Sequence, residues 1–90
     1  MERNIRLLFS NVAVQCTPEY LKEWIEAKDY KVRSVQLIQD VVSGTSPSFA
    51  YVQLSDVTRL NEAARMLHGQ SLLGRAVRVS PVVPLHHAVA

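Results

Sequence analysis

The segment Pro47-Ser48-Phe49-Ala50-Tyr51-Val52-Gln53-Leu54 carries two aromatic rings at alternate positions of a β-favouring run. Alternation along a strand sends Phe49 and Tyr51 to one face and Ala50, Val52 and Leu54 to the other. The aliphatic side can close a hydrophobic core. The ring side can do different chemistry, because an exposed aromatic face stacks on flat π-systems, and the bases of single-stranded RNA are the ligand class that uses such platforms. Guanidinium groups at Arg6 and Arg78 could contact phosphates or stack on bases, and the amides of Gln36 and Gln53 could bond base edges, provided the fold brings all four to the ring face.

The elements that must do so are readable in order. Ile5 to Val12 is a strand with Ile5, Leu7 and Phe9 facing one way and Arg6, Leu8 and Ser10 the other. A helix follows: Thr17 can cap, Pro18 fits the first helical position, Glu19 lies in the first turn, and Cys16 and Leu21 stand at hydrophobic-staple positions. Its apolar stripe is Leu21, Trp24 and Ile25, fading near Lys28 and Asp29. Val32, Val35 and Leu37 mark a second strand ending near Asp40, and Val41 to Ser46 is a loop. After the ring-bearing strand, a second helix is capped by Ser55 or Asp56, shows Leu60, Ala63, Ala64 and Leu67 at helical spacing and stops at Gly69. Gly74 turns the chain into a fourth strand, Arg75 to Ser80, with Val77 and Val79 inward.

This order predicts an α+β, ferredoxin-like βαββαβ sandwich: a four-stranded antiparallel sheet with two helices on one face. The first and third strands are then central. Leu8, Phe49 and Tyr51 become neighbours on the uncovered face, ringed by Arg6 and Gln53 and, from the outer strands, by Gln36, Ile38, Ala76 and Arg78.

Composition sets the bounds. Ninety residues at 48% hydrophobic and 20% charged make one domain, expected over residues 1–80 with a tail at 81–90. A net charge of +2 gives only weak general attraction to nucleic acid. Cys16 is the sole cysteine, which excludes an intramolecular disulfide and a multi-cysteine metal site and fits a reducing compartment. His86 and His87 alone do not make a metal site, and no cofactor is implied. No apolar run is long enough to span a bilayer and no secretion pattern opens the chain, so no membrane is expected. The expected location is intracellular, with cytoplasm and nucleus not distinguished. Paired carboxylates, a nucleophile with its base and a glycine-rich phosphate cradle are all missing, so catalysis is not expected.

From about Ile5 to Ser80 the chain resembles the RNA-recognition motif family. Phe49, Ala50, Tyr51 and Val52 match the family's octapeptide. Leu7-Leu8-Phe9-Ser10-Asn11-Val12 is similar to its hexapeptide, with Asn11 in place and Leu8 where a ring is usual. Leu67-His68-Gly69 and Leu73-Gly74-Arg75-Ala76-Val77-Arg78-Val79 align with its second helix and last strand. The resemblance implies single-stranded RNA as partner, held by Phe49 and Tyr51, with Leu8 flanking. The chain departs from the family at Pro47 and Ser48, which replace a basic residue and glycine, and in the segment from Asp40 to Pro47, which has no Lys or Arg. The turn Lys28-Asp29-Tyr30-Lys31 lacks the family's Phe-Gly pair, and Tyr30 is expected to supply a ring there. Two stacking rings and a few hydrogen bonds predict micromolar or weaker binding, about 8 kcal/mol or less.

A second reading uses the same face differently. The tail, with Val82, Val83 and Leu85, or another protein chain could cover the rings, because a contiguous apolar patch seldom stays bare. On that reading the domain is a protein-interaction or self-association module.

Overall fold

The computed structural model describes residues 5–38 and 48–82. The segment from Asp40 to Pro47 and the His86-His87 pair of the tail lie outside the described residues. Strands β1 (Arg6–Val12), β2 (Val32–Ile38), β3 (Ser48–Leu54) and β6 (Arg78–Val82) form one antiparallel sheet in the order β2-β3-β1-β6. Helices α1 (Pro18–Glu26) and α2 (Leu60–Leu67) bury Leu21, Ile25, Leu60, Ala63, Ala64 and Leu67 in the core that backs this sheet. The ferredoxin-like order read from the sequence is the order found.

Side-chain acceptors open α1 and the 3₁₀ turn ahead of α2, while α2 itself follows Arg59 without a side-chain cap. Thr17 accepts the Tyr20 amide through Oγ1 at 3.0 Å, and Cys16 and Leu21 are both buried beside it as the staple pattern requires. Burial pushes the Cys16 thiol above its ordinary pKa, so the buried thiol stays protonated near neutrality. Asp56 accepts the Thr58 amide at 3.0 Å and opens a single 3₁₀ turn, Val57–Arg59, that runs into α2. The two hydrogen bonds that Asp56 accepts, from the Thr58 hydroxyl and then its amide, lower the Asp56 pKa.

The sheet's helix side buries Leu7, Phe9, Ala50, Val52, Leu54 and Val79. Phe9 is fully enclosed and meets Trp24 edge-on, with ring centroids 6.4 Å apart and an interplanar angle of 81°. Trp24 is therefore a core-side ring, half-buried, with Lys28 Nζ 4.6 Å above its centroid.

The last strand differs from expectation. Leu73 and Gly74 both have positive φ, 52° and 84°, which folds Ser71–Leu72 (β4) and Arg75–Ala76 (β5) into a two-residue hairpin of their own. Arg75 and Ala76 consequently pair with Leu72 and Ser71 instead of with β1. The edge strand begins at Arg78 and continues through Pro81 and Val82, two residues past the expected end at Ser80. Proline is tolerated there because β6 is an edge strand. The Val79 amide donates to Nδ1 of His68, 3.1 Å away, at the close of α2.

The corner between α1 and β2 is held by Tyr30, which is buried as its expected ring role requires. Its hydroxyl donates to Glu62 Oε2 at 2.9 Å, and the Arg59 guanidinium lies 4.3 Å from its ring centroid while donating to Glu62 at 2.7 Å and to the Asp29 carbonyl at 2.8 Å. Bonds from Arg59 and then Tyr30 hold the Glu62 carboxyl below its ordinary range. Desolvation, then the bond to Glu62, raises the Tyr30 pKa above its ordinary value of 10.0. The neutral phenol is thus the form the fold favours, so Tyr30's contribution is complete below pH 10 and is lost as pH rises through the raised value. Tyr30→Phe should cost about 1 kcal/mol at neutral pH while flattening the alkaline loss of stability. Denaturant unfolding followed from about pH 8 to about pH 11 checks both, and an equally steep alkaline loss in the variant would contradict this account.

Candidate nucleic-acid interface

The uncovered side of the sheet is laid out in three rows that cross all four strands. In the middle row Gln36 pairs with Tyr51, Tyr51 with Leu8, and Leu8 with Ser80. Toward one end Ile38 pairs with Phe49 and Ser10 with Arg78, and β1 carries an irregularity between Phe9 and Val12 where these two pairs meet. Toward the other end Ser34 pairs with Gln53 and Arg6 with Val82. Leu7 opposite Val52 sets Arg6 beside Gln53. Neighbouring strands in such a sheet lie about 4.8 Å apart, so the rows form one continuous platform.

All seven residues expected at the site, Leu8, Arg6, Phe49, Tyr51, Gln36, Gln53 and Arg78, fall on this one face. Ala76 does not, because the hairpin takes it out of the sheet, and Ser80 and Val82 occupy the β6 positions of the face. Phe49 is 48% exposed, and its cross-strand neighbour Ile38 is 42% exposed, which makes that end an open apolar surface.

The two rings are not equivalent. The Arg6 guanidinium carbon lies 4.2 Å from the Tyr51 ring centroid, capping a ring that is only partly exposed, whereas Phe49 has no such cover among the described residues. Leu8 is the partner directly opposite Tyr51, so Arg6, two residues earlier, reaches the ring on the diagonal. Nothing in the sequence spacing distinguished a capping Arg6 from a freely solvated one. Arg6 Nε is buried and has no hydrogen-bond partner among the described residues, an uncommon state for a cationic donor. The Ser34 hydroxyl donates to Gln53 Oε1 at 3.0 Å, and the Gln53 amide nitrogen has no hydrogen-bond partner among the described residues.

Asn11 explains its own residue type. Its φ is 63°, in the left-handed region that Asn tolerates better than most residues, and it sits at the irregularity in β1. Its Nδ2 donates to the Ala76 carbonyl at 2.9 Å and its Oδ1 accepts from Arg75 Nη2 at 2.7 Å. Asn11 thus ties the β4–β5 hairpin to the end of β1, and it brings Arg75, a residue absent from the sequence-derived set, to the rim of the ring face.

Other features lie apart from this platform. A cleft of about 300 Å³, lined by Tyr30, Lys31, Leu54, Asp56 and Arg59 among others, shares no residue with it. Among the described residues no group of three or more His, Cys, Asp or Glu is arranged to hold a metal ion, and no helix is long and apolar enough to cross a membrane.

A four-stranded sheet backed by two helices, with aromatic, aliphatic and guanidinium groups on its open side, defines an α+β platform module. The chain belongs to the RNA recognition motif family, whose model matches residues 7–78. It is similar to a 33 kDa chloroplastic ribonucleoprotein of Nicotiana sylvestris, 35% identical over 80 residues that make 88% of this chain and 24% of the relative. A 28 kDa chloroplastic ribonucleoprotein of Spinacia oleracea is 42% identical over 50 residues, 56% of this chain and 22% of that protein. The chain therefore spans about a quarter of the length of these curated relatives. Among solved structures, the third RRM domain of Mip6 superposes with a TM-score of 0.74 at 17% identity, covering 84% of this chain and 89% of that one. The Rna15 RRM, solved with bound RNA (GU), gives 0.66 at 18% identity, covering 88% and 82%. At these identities the likeness of the structures is one of fold.

The capping of Tyr51 is open to a direct check. Replacing Arg6 by Met should shift the Tyr51 ring-proton resonances and leave those of Phe49 in place, whereas unmoved Tyr51 signals would mean that Arg6 does not cover the ring in solution.

Proposed function

We propose that this domain binds single-stranded RNA on its open sheet face, with one base stacked on Phe49, a second on Tyr51, and Leu8 as the apolar floor beside the second. The observation that carries this reading is the half-exposed Phe49 one row from the Tyr51–Leu8 pair in a chain of the RNA recognition motif family. The ribonucleoprotein names of its relatives and the RNA-bound Rna15 neighbour favour RNA over a protein-interaction or self-association role for the face. A binding role also agrees with a sequence that shows no catalytic constellation. The binding domain is taken to run from Ile5 to Val82, since β6 continues to Val82. A buried, protonated thiol at Cys16 fits a reducing compartment. The names of the relatives say "chloroplastic" of those proteins.

Magnitudes order the two stacking positions. A cation over an exposed ring is worth about 0.5–1 kcal/mol, and a base stacked on an aromatic side chain about 1–3 kcal/mol. A base can therefore displace Arg6 from Tyr51, at the loss of part of its own stacking energy. Displacement also frees the buried Arg6 Nε to reach a phosphate or base oxygen, which removes the cost of an unpaired donor. Gln36 and Gln53 flank Tyr51 and offer amides to base edges, and Arg78 lies beyond Ser10 on the side of Phe49.

Phe49→Ala should weaken binding of a short single-stranded RNA by about 5- to 150-fold, and Tyr51→Ala by a smaller factor. Chemical-shift titration of the labelled domain with short oligoribonucleotides measures both. Unchanged sheet-face signals at about millimolar RNA would end this reading, and a larger loss for Tyr51→Ala than for Phe49→Ala would reverse the order of the two positions.

A further inference from the structure

All eight Asp and Glu residues lie at or before Glu62, while residues 63–90 contain three arginines and no Asp or Glu. The hairpin and the β6 edge therefore carry positive charge with no acidic residue of their own segment to balance it. Two of the three arginines stand at the rim of the ring face. Arg78 is the β6 partner of Ser10, in the row that ends at Phe49 and Ile38. Arg75 reaches the same end of β1, where its Nη2 donates to Asn11 Oδ1.

Two of the chain's other guanidinium groups are already committed. Arg59 is ion-paired to Glu62, the one salt bridge among the described residues, and Arg6 lies against the Tyr51 ring. Arg75 is held by a neutral amide, which fixes its direction while leaving its charge uncompensated. Arg78 is exposed and has no ion-pair or hydrogen-bond partner among the described residues. A pre-oriented guanidinium loses less entropy on binding than a free one and suits a two-oxygen contact with phosphate. On the other side of the face, Pro47, Ser48 and the segment from Asp40 onward offer no Lys or Arg. An RNA strand crossing the face near Phe49 would thus find its compensating charge on the opposite border, at β5 and β6.

We propose that Arg75 and Arg78 form the phosphate-binding border of the site, contacting two phosphates of the strand whose base stacks on Phe49, with Asn11 positioning Arg75. This rests on the RNA-binding reading above. It assigns the electrostatic share of binding to a border that the octapeptide does not include.

The test is the salt dependence of binding to a short uridine-rich single-stranded RNA between about 50 and about 200 mM salt. Each phosphate contact on a single strand contributes about 0.7 to the slope of log K against log salt. Arg75→Gln with Arg78→Gln together should make that slope shallower by about 1.4, while the Phe49 ring-proton shift at saturation stays that of the wild type. Arg75→Lys keeps the charge and should keep most of the slope, which a purely structural hydrogen bond to Asn11 would not explain. A second arm uses the wild-type domain with RNA carrying uncharged methylphosphonate linkages, which should lose the same part of the slope even if the double variant does not fold. An unchanged slope in either arm overturns the proposal, with stacking at Phe49 left standing. If the wild-type domain binds no RNA, the stacking reading falls first and this one with it.

Discussion

The antiparallel pairing of β1 with β3 is the constraint on which the rest depends. Leu7 opposite Val52 and Phe9 opposite Ala50 send four side chains into the core, and the same register sets Leu8 against Tyr51 on the open side. A slip of β3 by one residue would exchange its faces, turning Phe49 and Tyr51 toward the core and Ala50 and Val52 away from it. Core burial therefore selects the register, and the register composes the platform. The burial that holds the fold and the geometry of the site thus meet in one strand pairing.

The platform is built from unequal parts, and its electrostatics follow from where charges are already committed. Arg59 is committed to Glu62 and to the Tyr30 ring at the far corner, where it helps to close the turn between α1 and β2. Arg6 is committed to Tyr51 only loosely, by a cation–ring attraction of about 0.5–1 kcal/mol. The two rings thus differ before any ligand is present: Tyr51 already has an intramolecular partner, and Phe49 has none among the described residues.

Much of this was legible in the sequence because it depended on periodicity and caps. The strand alternation at 48–54 and at 6–10, the Thr17-Pro18 start and the Leu60-Ala63-Ala64-Leu67 stripe each mark a face or a boundary by residue type alone. What could not be read lay in contacts between residues far apart in the chain. The hairpin at Leu73-Gly74 depends on Leu adopting a positive φ, a state few leucines take, so the strand was expected to begin at Arg75. The bond from Arg75 to Asn11 spans 64 positions, and only the three-dimensional meeting of the hairpin with the β1 irregularity creates it. The Arg6 cap on Tyr51 is similarly a diagonal contact, chosen among several open to a long side chain.

One detail of β6 bears on how this domain behaves in company. Outward-pointing amides on an edge strand are templates for pairing with another chain. Along β6 the outward positions alternate, and the two central ones are Val79, whose amide is taken by the His68 ring, and Pro81, which has none. The border of the sheet thus presents no unpaired donor over that stretch to a stray strand. A histidine and a proline outside the ring platform thereby guard this one edge against edge-to-edge pairing in a crowded solution of such domains.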